Sequence, residues 1–193
     1  MFFSLISDKR FLPTEYVNTI FEINYSKLYE EGIRLILTDL DNTLISYKEQ
    51  EPLAEQYAWV KEMKDLGFEI IIVSNNSHKQ RVSRFAQMLG VDYVNFATKP
   101  LKRGLKKALK KAQKKYQHTE VVAIGDQLMT DIFAANRMGF YSILVKAIDR
   151  KTEIVPTKIN RKLERYVLNS MRKHHPNEFQ AKLLTYYEDN YED

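Results

Sequence analysis

Short runs rich in apolar residues alternate along the chain with longer segments in which apolar residues recur at helical spacing. The apolar runs cover residues 33–37, 68–73, 93–96, 120–124 and 141–145. Runs of this kind indicate strands that are buried on both faces. The segments with helical spacing cover about 53–66, 78–89, 101–116, 130–138 and 157–172. This alternation predicts parallel strands connected by helices.

The predicted fold class is therefore α/β, a Rossmann-like three-layer α/β/α arrangement with a mainly parallel sheet of about five strands. Its core covers about residues 33–146. We expect a single domain over residues 1–193, with helical extensions at 1–32 and 147–193, because no repeat or low-complexity linker interrupts the chain. The 44% of hydrophobic residues is sufficient for one core.

Composition excludes several classes of protein. The chain contains no cysteine, which excludes a disulfide framework, a cysteine-based zinc site and a cysteine nucleophile. Its apolar runs are much shorter than the roughly 20 residues that cross a bilayer. The apolar start at residues 1–6 is short and precedes its positive charges, unlike a signal peptide. We expect a cytoplasmic protein without a transmembrane segment, associated at most peripherally with the inner membrane face.

Polar side chains directly follow the first four predicted strands. They include four carboxylates, one hydroxyl and one amine, namely Asp39, Asp41, Asp126, Asp131, Ser74 and Lys99. In open α/β sheets the ligand site lies outside the carboxyl ends of the strands. We therefore expect these side chains to meet at one edge of the sheet.

Four carboxylates in one place would repel each other, and a divalent cation would relieve that repulsion. Oxygen ligands without a soft donor favour Mg²⁺, whose coordination is usually completed by water and phosphate. Lys99 and Ser74 add donors for a dianionic phosphoryl group. In such a site one carboxylate can attack phosphorus, and a second one two residues further along can protonate the leaving oxygen.

These residues resemble the four signature motifs of the haloacid dehalogenase (HAD) superfamily. In chain order the motifs are Asp39-Leu40-Asp41-Asn42-Thr43, Ser74-Asn75, Lys99-Pro100 and Gly125-Asp126 with Asp131. The second acid of the first motif, Asp41, is absent from the dehalogenase branch and favours phosphate-ester hydrolysis. The resemblance covers about residues 33–146 and implies a phosphatase-type HAD fold.

The resemblance also implies a role for each motif residue. Asp39 is the expected nucleophile, and Asp41 is the expected general acid and base. The expected phosphate-binding residues are Thr43, Ser74, Asn75 and Lys99. Mg²⁺ is expected on Asp39, the main-chain carbonyl of Asp41 and Asp126. Asp131 is an expected supporting carboxylate that orients Lys99 or a metal-bound water.

The spacing between the motifs leaves no room for a cap domain. About ten residues separate Thr43 from the predicted helix near residue 53, and the stretch from Ser74 to Lys99 already holds a helix and a strand. We therefore expect an open active site. An open site suits a large substrate, such as a protein, a nucleic-acid end or a lipid headgroup on a membrane.

The net charge of +5 is unevenly distributed. Residues 1–100 carry 11 basic and 14 acidic side chains, whereas residues 101–175 carry 18 and 6. The segment 102–115 holds eight basic residues at helical spacing and no acidic one, which indicates either a solvated face or contact with an anionic surface. The basic segment 157–172 has an apolar stripe for which packing against the core is the favoured interpretation, formed by Ile159, Leu163, Tyr166, Val167 and Met171.

The wider pattern resembles capless subclass III HAD phosphatases of the YqeG type, which are similar to phosphatidylglycerophosphate (PGP) phosphatases. The matching residues are Leu12-Pro13, 37–44, 73–76, 97–100 and 124–131, and the string from Gly125 to Asp131 is the more specific part. It implies Mg²⁺-dependent hydrolysis of PGP to phosphatidylglycerol at the membrane surface, through an aspartyl-phosphate.

The alternative is the same chemistry on a nucleic-acid end, a phosphoprotein or a small soluble phosphate ester. Nucleic acid is the less favoured partner, because no aromatic residues are interleaved with the lysines. A non-catalytic binding module would be expected to lack Asp39 or Asp41. The pattern predicts no oligomeric state.

Overall fold

The computed structural model describes residues 9–191 and forms a parallel sheet with helices on both faces. The strands are β1 (Glu15–Val17), β2 (Leu35–Thr38), β3 (Glu69–Val73), β4 (Asp92–Val94), β5 (Val121–Gly125) and β6 (Tyr141–Val145). The helices are α1 (Tyr25–Glu30), α2 (Ala54–Asp65), α3 (Lys79–Leu89), α4 (Lys102–Lys111), α5 (Phe133–Met138), α6 (Val155–His174), α7 (Pro176–Lys182) and α8 (Leu184–Tyr191). The apolar start at residues 1–6 lies outside the described residues.

The sheet has the strand order β1-β6-β5-β2-β3-β4. β2 lies in the middle, where Leu35 is in register with Glu69 of β3 on one side and Val121 of β5 on the other. Because all neighbouring strands run parallel, their carboxyl ends lie at one edge of the sheet. The predicted α/β class is confirmed.

Alternate residues of β2 enter two different layers of the core. Ile36 packs with Trp59 and Phe85 beneath α1 to α3. Leu35 and Leu37 point to the other face, which α4 and α5 cover. The C-terminal helices α6 to α8 form a third apolar cluster on β6 and α5. Because successive side chains of a strand point to opposite faces, the buried sheet packs against helices on both sides, which gives three layers.

The sheet contains one strand more than the expected five. β1 pairs with β6, with Glu15 opposite Ile143 and Val17 opposite Val145. It belongs to the segment 1–32, so the expectation of a helical extension is wrong for residues 15–17. A strand of three residues is too short for a readable alternation, and it forms because β6 offers it an open edge.

The basic helix α4 ends before the predicted position near residue 116. After Lys111, Ala112 leaves the helical conformation with ψ 142°. The Glu69 carboxylate then accepts hydrogen bonds from the Gln113 main-chain N–H (2.8 Å) and the Tyr116 hydroxyl (2.9 Å). This contact with β3 replaces the last turn of the predicted helix.

Candidate active site

The carboxyl edge of the sheet carries the predicted site residues. Asp39 directly follows β2, and its N–H donates to the carbonyl of Ile124 on β5 at 2.9 Å. The neighbouring strand ends bring six predicted residues to the wall of a cavity of about 690 Å³, namely Asp39, Asp41, Ser74, Asn75, Lys99 and Asp131. Asp126 lies behind this wall and is fully buried.

Lys99 lies between two buried carboxylates. Its Nζ is 2.9 Å from Asp39 Oδ1 and 2.6 Å from Asp131 Oδ1. Burial alone would lower the pKa of Lys99, but the charges of Asp131 and Asp39 raise it above its usual value. Lys99 is therefore a permanent positive charge at the bottom of the cavity, and Asp131 holds it there.

Asp39, Asp126 and Asp131 form a cluster in which one carboxylate oxygen from each lies within 4.8 Å of the others. Burial, together with the charges of Asp131 and Asp126, raises the pKa of Asp39 to about 8, against the opposing effect of Lys99. Burial also raises the pKa of Asp126 to about 6. A divalent cation fits this set, because buried hard oxygen ligands that repel each other are stabilised by a compact positive charge.

The carboxylate of Asp41 has its own partners. It accepts from Arg81 Nε at 2.9 Å and from Asn76 Nδ2 at 2.8 Å. Arg81 also donates to the carbonyls of Ser46 (3.0 Å) and Glu49 (2.6 Å), which belong to the loop after β2. The two predicted acids of the first motif therefore lie in different surroundings, one beside Lys99 and the other beside a guanidinium.

Two predicted phosphate-binding residues contact other site residues. The Asn75 amide exchanges hydrogen bonds with the Lys99 main chain, donating to its carbonyl at 2.9 Å and accepting from its N–H at 2.7 Å. The Thr43 hydroxyl donates to Asp126 Oδ1 at 3.2 Å. Both side chains thus position charged groups of the site, and their contact with phosphate stays a prediction.

Gly125 is required by the close approach of Asp131. A Cβ atom at residue 125 would lie 2.3 Å from the Asp131 Cγ, far inside the contact distance. The Gln127 N–H then donates to Asp131 Oδ2 at 3.1 Å. The glycine that ends β5 is therefore what lets the chain fold Asp131 back towards Lys99.

Sequence reasoning missed Arg161, which α6 inserts behind the carboxylate cluster. Its guanidinium pairs with the Asp126 carboxylate and donates to the Asp126 carbonyl at 2.7 Å. It also pairs with Glu153 (2.9 Å) and Glu164 (3.4 Å) and donates to the Tyr186 hydroxyl at 3.3 Å. Glu164 accepts in turn from the Leu128 N–H at 3.0 Å. The sequence offered only the spacing of an Arg and a Glu three residues apart, outside the predicted apolar stripe of this helix.

Comparisons with known proteins identify the family of the chain. A family described as "Mitochondrial PGP phosphatase" matches residues 1–148. The "Probable phosphatase YqeG" of Bacillus subtilis is 36% identical over 165 residues, which cover 86% of this chain and 94% of that protein. The chain belongs to the PGP phosphatase family. It is a capless phosphatase of the HAD superfamily, as its motifs predicted.

Solved structures of two 3-deoxy-D-manno-octulosonate 8-phosphate phosphatases are also similar. The cobalt-bound Haemophilus influenzae enzyme has a TM-score of 0.45 at 15% identity, covering 77% of this chain and 93% of that one. The Moraxella catarrhalis enzyme, in complex with magnesium, phosphate and 3-deoxy-D-manno-octulosonate (KDO), has a TM-score of 0.45 at 16% identity, covering 81% and 97%.

In this member of the PGP phosphatase family, the beginning of helix α6 forms part of the cavity wall. Ile154, Pro156, Thr157 and Asn160 line the cavity together with the site residues. Within the described residues, neither the loop after Asp41 nor the stretch to Lys99 contains a cap domain. The site is therefore walled on one side by the beginning of α6.

None of the helices in residues 9–191 combines the length and apolar composition that crossing a bilayer requires.

Proposed function

We propose that this PGP phosphatase family member hydrolyses phosphatidylglycerophosphate to phosphatidylglycerol and inorganic phosphate at a membrane surface, using Mg²⁺ and a phosphorylated Asp39. The observation that carries the proposal is the pairing of a buried Asp39 with Lys99, beside two further carboxylates and in a cavity without a cap. The family description supports the lipid substrate.

In the proposed first step, an oxygen of Asp39 attacks the phosphorus of the terminal phosphate group. The bond between phosphorus and the glycerol oxygen breaks, and Asp41 gives its proton to that oxygen. Lys99 Nζ, 2.9 Å from Asp39, offsets the negative charge that accumulates on the phosphoryl oxygens. The products are an aspartyl-phosphate and the free hydroxyl of phosphatidylglycerol.

In the second step, Asp41 takes a proton from a water molecule, whose oxygen attacks the phosphorus of the aspartyl-phosphate. The bond to the Asp39 oxygen breaks and inorganic phosphate leaves. Arg81 and Asn76 keep the Asp41 carboxylate in place during both proton transfers. Water must reach the phosphorus from the cavity, which agrees with a site that no cap encloses.

Mg²⁺ would be held by the carboxylates of Asp39 and Asp126 and the main-chain carbonyl of Asp41, with Asp131 in support. When bound, it supplies a positive charge that reduces the repulsion between these carboxylates and the dianionic phosphate. Arg161 and Thr43 orient Asp126 for this role.

We expect the binding of Mg²⁺ to strengthen as the pH rises from 6 to 8. Without metal, the raised pKa values of Asp39 (about 8) and Asp126 (about 6) keep protons on the cluster, and these protons must leave when the cation binds. Each displaced proton gives up to about a tenfold gain in affinity per pH unit. Calorimetric titrations at pH 6, 7 and 8 measure this gain.

The same raised pKa values determine whether the metal-free protein becomes more or less stable as the pH rises. An Asp with a raised folded-state pKa stabilises the folded state below the ordinary pKa of about 4, and this contribution is lost as the pH rises towards 8. In EDTA the Tm should therefore fall over this range, and Mg²⁺ should raise it more at pH 8 than at pH 6. An equal effect of Mg²⁺ at both pH values would contradict the assigned cluster.

The substrate is tested with purified protein and PGP in mixed micelles, with Mg²⁺ or with EDTA. We expect Mg²⁺-dependent phosphate release and a higher kcat/KM for PGP than for glycerol 3-phosphate, a sugar phosphate, a nucleotide, a phosphopeptide or a 5′-phosphorylated oligonucleotide. Preference for one of these others would reject the lipid substrate. Absence of phosphate release from every compound would reject the catalytic assignment.

A further inference from the structure

The outward side of helix α6 is unusually apolar. Val155, Ile159, Leu163 and Tyr166 are exposed, Val155 to 69% and Tyr166 to 73%. Their spacing of three or four residues places them on one side of the helix. The exposed side of a helix in a globular protein is normally polar. The expectation that the stripe over 157–172 packs against the core is therefore wrong for Ile159, Leu163 and Tyr166, although Val167 and Met171 are buried.

The charges on this side of α6 all have one sign. Lys158, Lys162 and Arg165 are exposed between the apolar residues. The two acidic residues nearby, Glu153 and Glu164, are buried against Arg161. Between residues 154 and 166, all of which the structure describes, every exposed side chain is apolar or basic. We call this surface the α6 outer face, formed by Val155, Lys158, Ile159, Lys162, Leu163, Arg165 and Tyr166.

The α6 outer face begins at the mouth of the active-site cavity. Ile154 and Pro156, at the start of the helix, line the cavity and are themselves exposed. Phe96, from the segment after β4, lines the same cavity and is 65% exposed. Apolar side chains from two separate segments therefore flank the opening that leads to Asp39 and Lys99.

We propose that the α6 outer face docks this protein on an anionic lipid bilayer. The apolar side chains enter the boundary between headgroups and acyl chains, and the basic side chains contact lipid phosphates. This inference rests on the proposed function, since docking would bring the cavity mouth to the level at which a phosphorylated headgroup is presented.

The positive charge of the α6 outer face favours an anionic bilayer over other occupants. A second copy of the chain would bring Lys158, Lys162 and Arg165 against the same three cations, which costs free energy. The basic helix α4 differs from α6, because its exposed residues are all Lys or Arg. It can attract an anionic surface, but the exposed apolar residue next to it, Leu101, lies before its first turn and has no apolar stripe behind it.

The test is sedimentation of the full chain with vesicles of phosphatidylcholine alone or mixed with an equal amount of phosphatidylglycerol. We expect binding to the mixed vesicles. The variant Val155→Ser/Ile159→Ser/Tyr166→Ser should bind them about tenfold or more weakly. The matched control Leu53→Ser/Tyr57→Ser/Met88→Ser removes three exposed apolar side chains elsewhere and should bind like the unaltered chain.

A second pair of variants tests the charges. Lys158→Gln/Lys162→Gln/Arg165→Gln should weaken binding by about fivefold for each charge removed and should flatten its salt dependence. Lys106→Gln/Lys107→Gln/Lys110→Gln on α4 removes the same number of charges and should have the smaller effect. Hydrolysis of the soluble ester p-nitrophenyl phosphate should be unchanged in all four variants.

The proposal is overturned if the unaltered chain binds no anionic vesicles, or if the α6 variants bind like it. It is also overturned if light scattering shows that the unaltered chain is a dimer and that Val155→Ser/Ile159→Ser/Tyr166→Ser is a monomer. That result would assign the α6 outer face to a second copy of the chain. Vesicle binding requires no turnover. A chain that binds vesicles but does not hydrolyse PGP would therefore reject the proposed function alone.

Discussion

Asp39→Asn is expected to lower kcat by about 10³-fold or more, because an amide cannot act as the nucleophile. The substitution keeps the size and shape of the side chain, so substrate binding should change far less than kcat. Initial rates of phosphate release from PGP and from p-nitrophenyl phosphate measure the effect. The matched control is Asp65→Asn, which alters an exposed acid paired with Lys61 on α2 and should retain full activity.

Asp39→Asn should leave the folded state at least as stable as the unaltered chain in EDTA. The raised pKa of Asp39 means that the folded protein favours the neutral form of this side chain, and the amide is always neutral. Lys99 keeps its second partner, Asp131, at 2.6 Å. An unchanged or higher Tm together with lost turnover separates a chemical role from a structural one. Retained turnover would remove Asp39 as the nucleophile.

Arg161→Met is expected to lower the free energy of unfolding by about 3–5 kcal/mol, since it leaves buried carboxylates without their cation. The three affected carboxylates are those of Asp126, Glu153 and Glu164. Methionine fills a similar volume, so the loss reflects charge more than packing. Urea unfolding monitored by circular dichroism gives the value.

The control for Arg161→Met is Lys173→Met, which removes an exposed positive charge from the same helix and should change stability by less than about 0.5 kcal/mol. Arg161→Met should also weaken Mg²⁺ binding in the fraction that remains folded, because Asp126 loses the group that orients it. If the free energy of unfolding of Arg161→Met lies within about 1 kcal/mol of that of the unaltered chain, the network around Arg161 does not stabilise the fold.

The residues at the centre of the site could be predicted because each of them directly follows a recognisable strand, and parallel strands end at the same edge of the sheet. Asp39 directly follows an apolar strand, and so do Ser74 and Asp126, so the carboxyl ends of β2, β3 and β5 bring them together. The predicted bounds of strand β6, 141–145, are also those observed, since Gly139 ends the helix before it and Lys146 ends the apolar residues after it.

The contacts between distant segments could not be predicted in the same way. Arg161 follows Asp126 by 35 residues, and nothing near either residue in the chain specifies their pairing. Likewise, the apolar residues of α6 recur at one helical spacing and suggest one buried side, yet Val167 is buried and Tyr166 is exposed. Which side of a helix meets the core depends on how the helix is placed, and here α6 turns Arg161 and Glu164 inwards together with Val167, Leu168 and Met171.

The most direct test of the proposed mechanism is to find where phosphate is covalently held during turnover. PGP carrying radioactive terminal phosphate is mixed with the Mg²⁺-loaded enzyme, the reaction is stopped with acid within the first turnover, and the labelled peptide is identified. We expect a base-labile label on the peptide that contains Asp39, and no label in Asp39→Asn. A label on another residue, or a first turnover that releases phosphate with no labelled protein at any time, would contradict this mechanism.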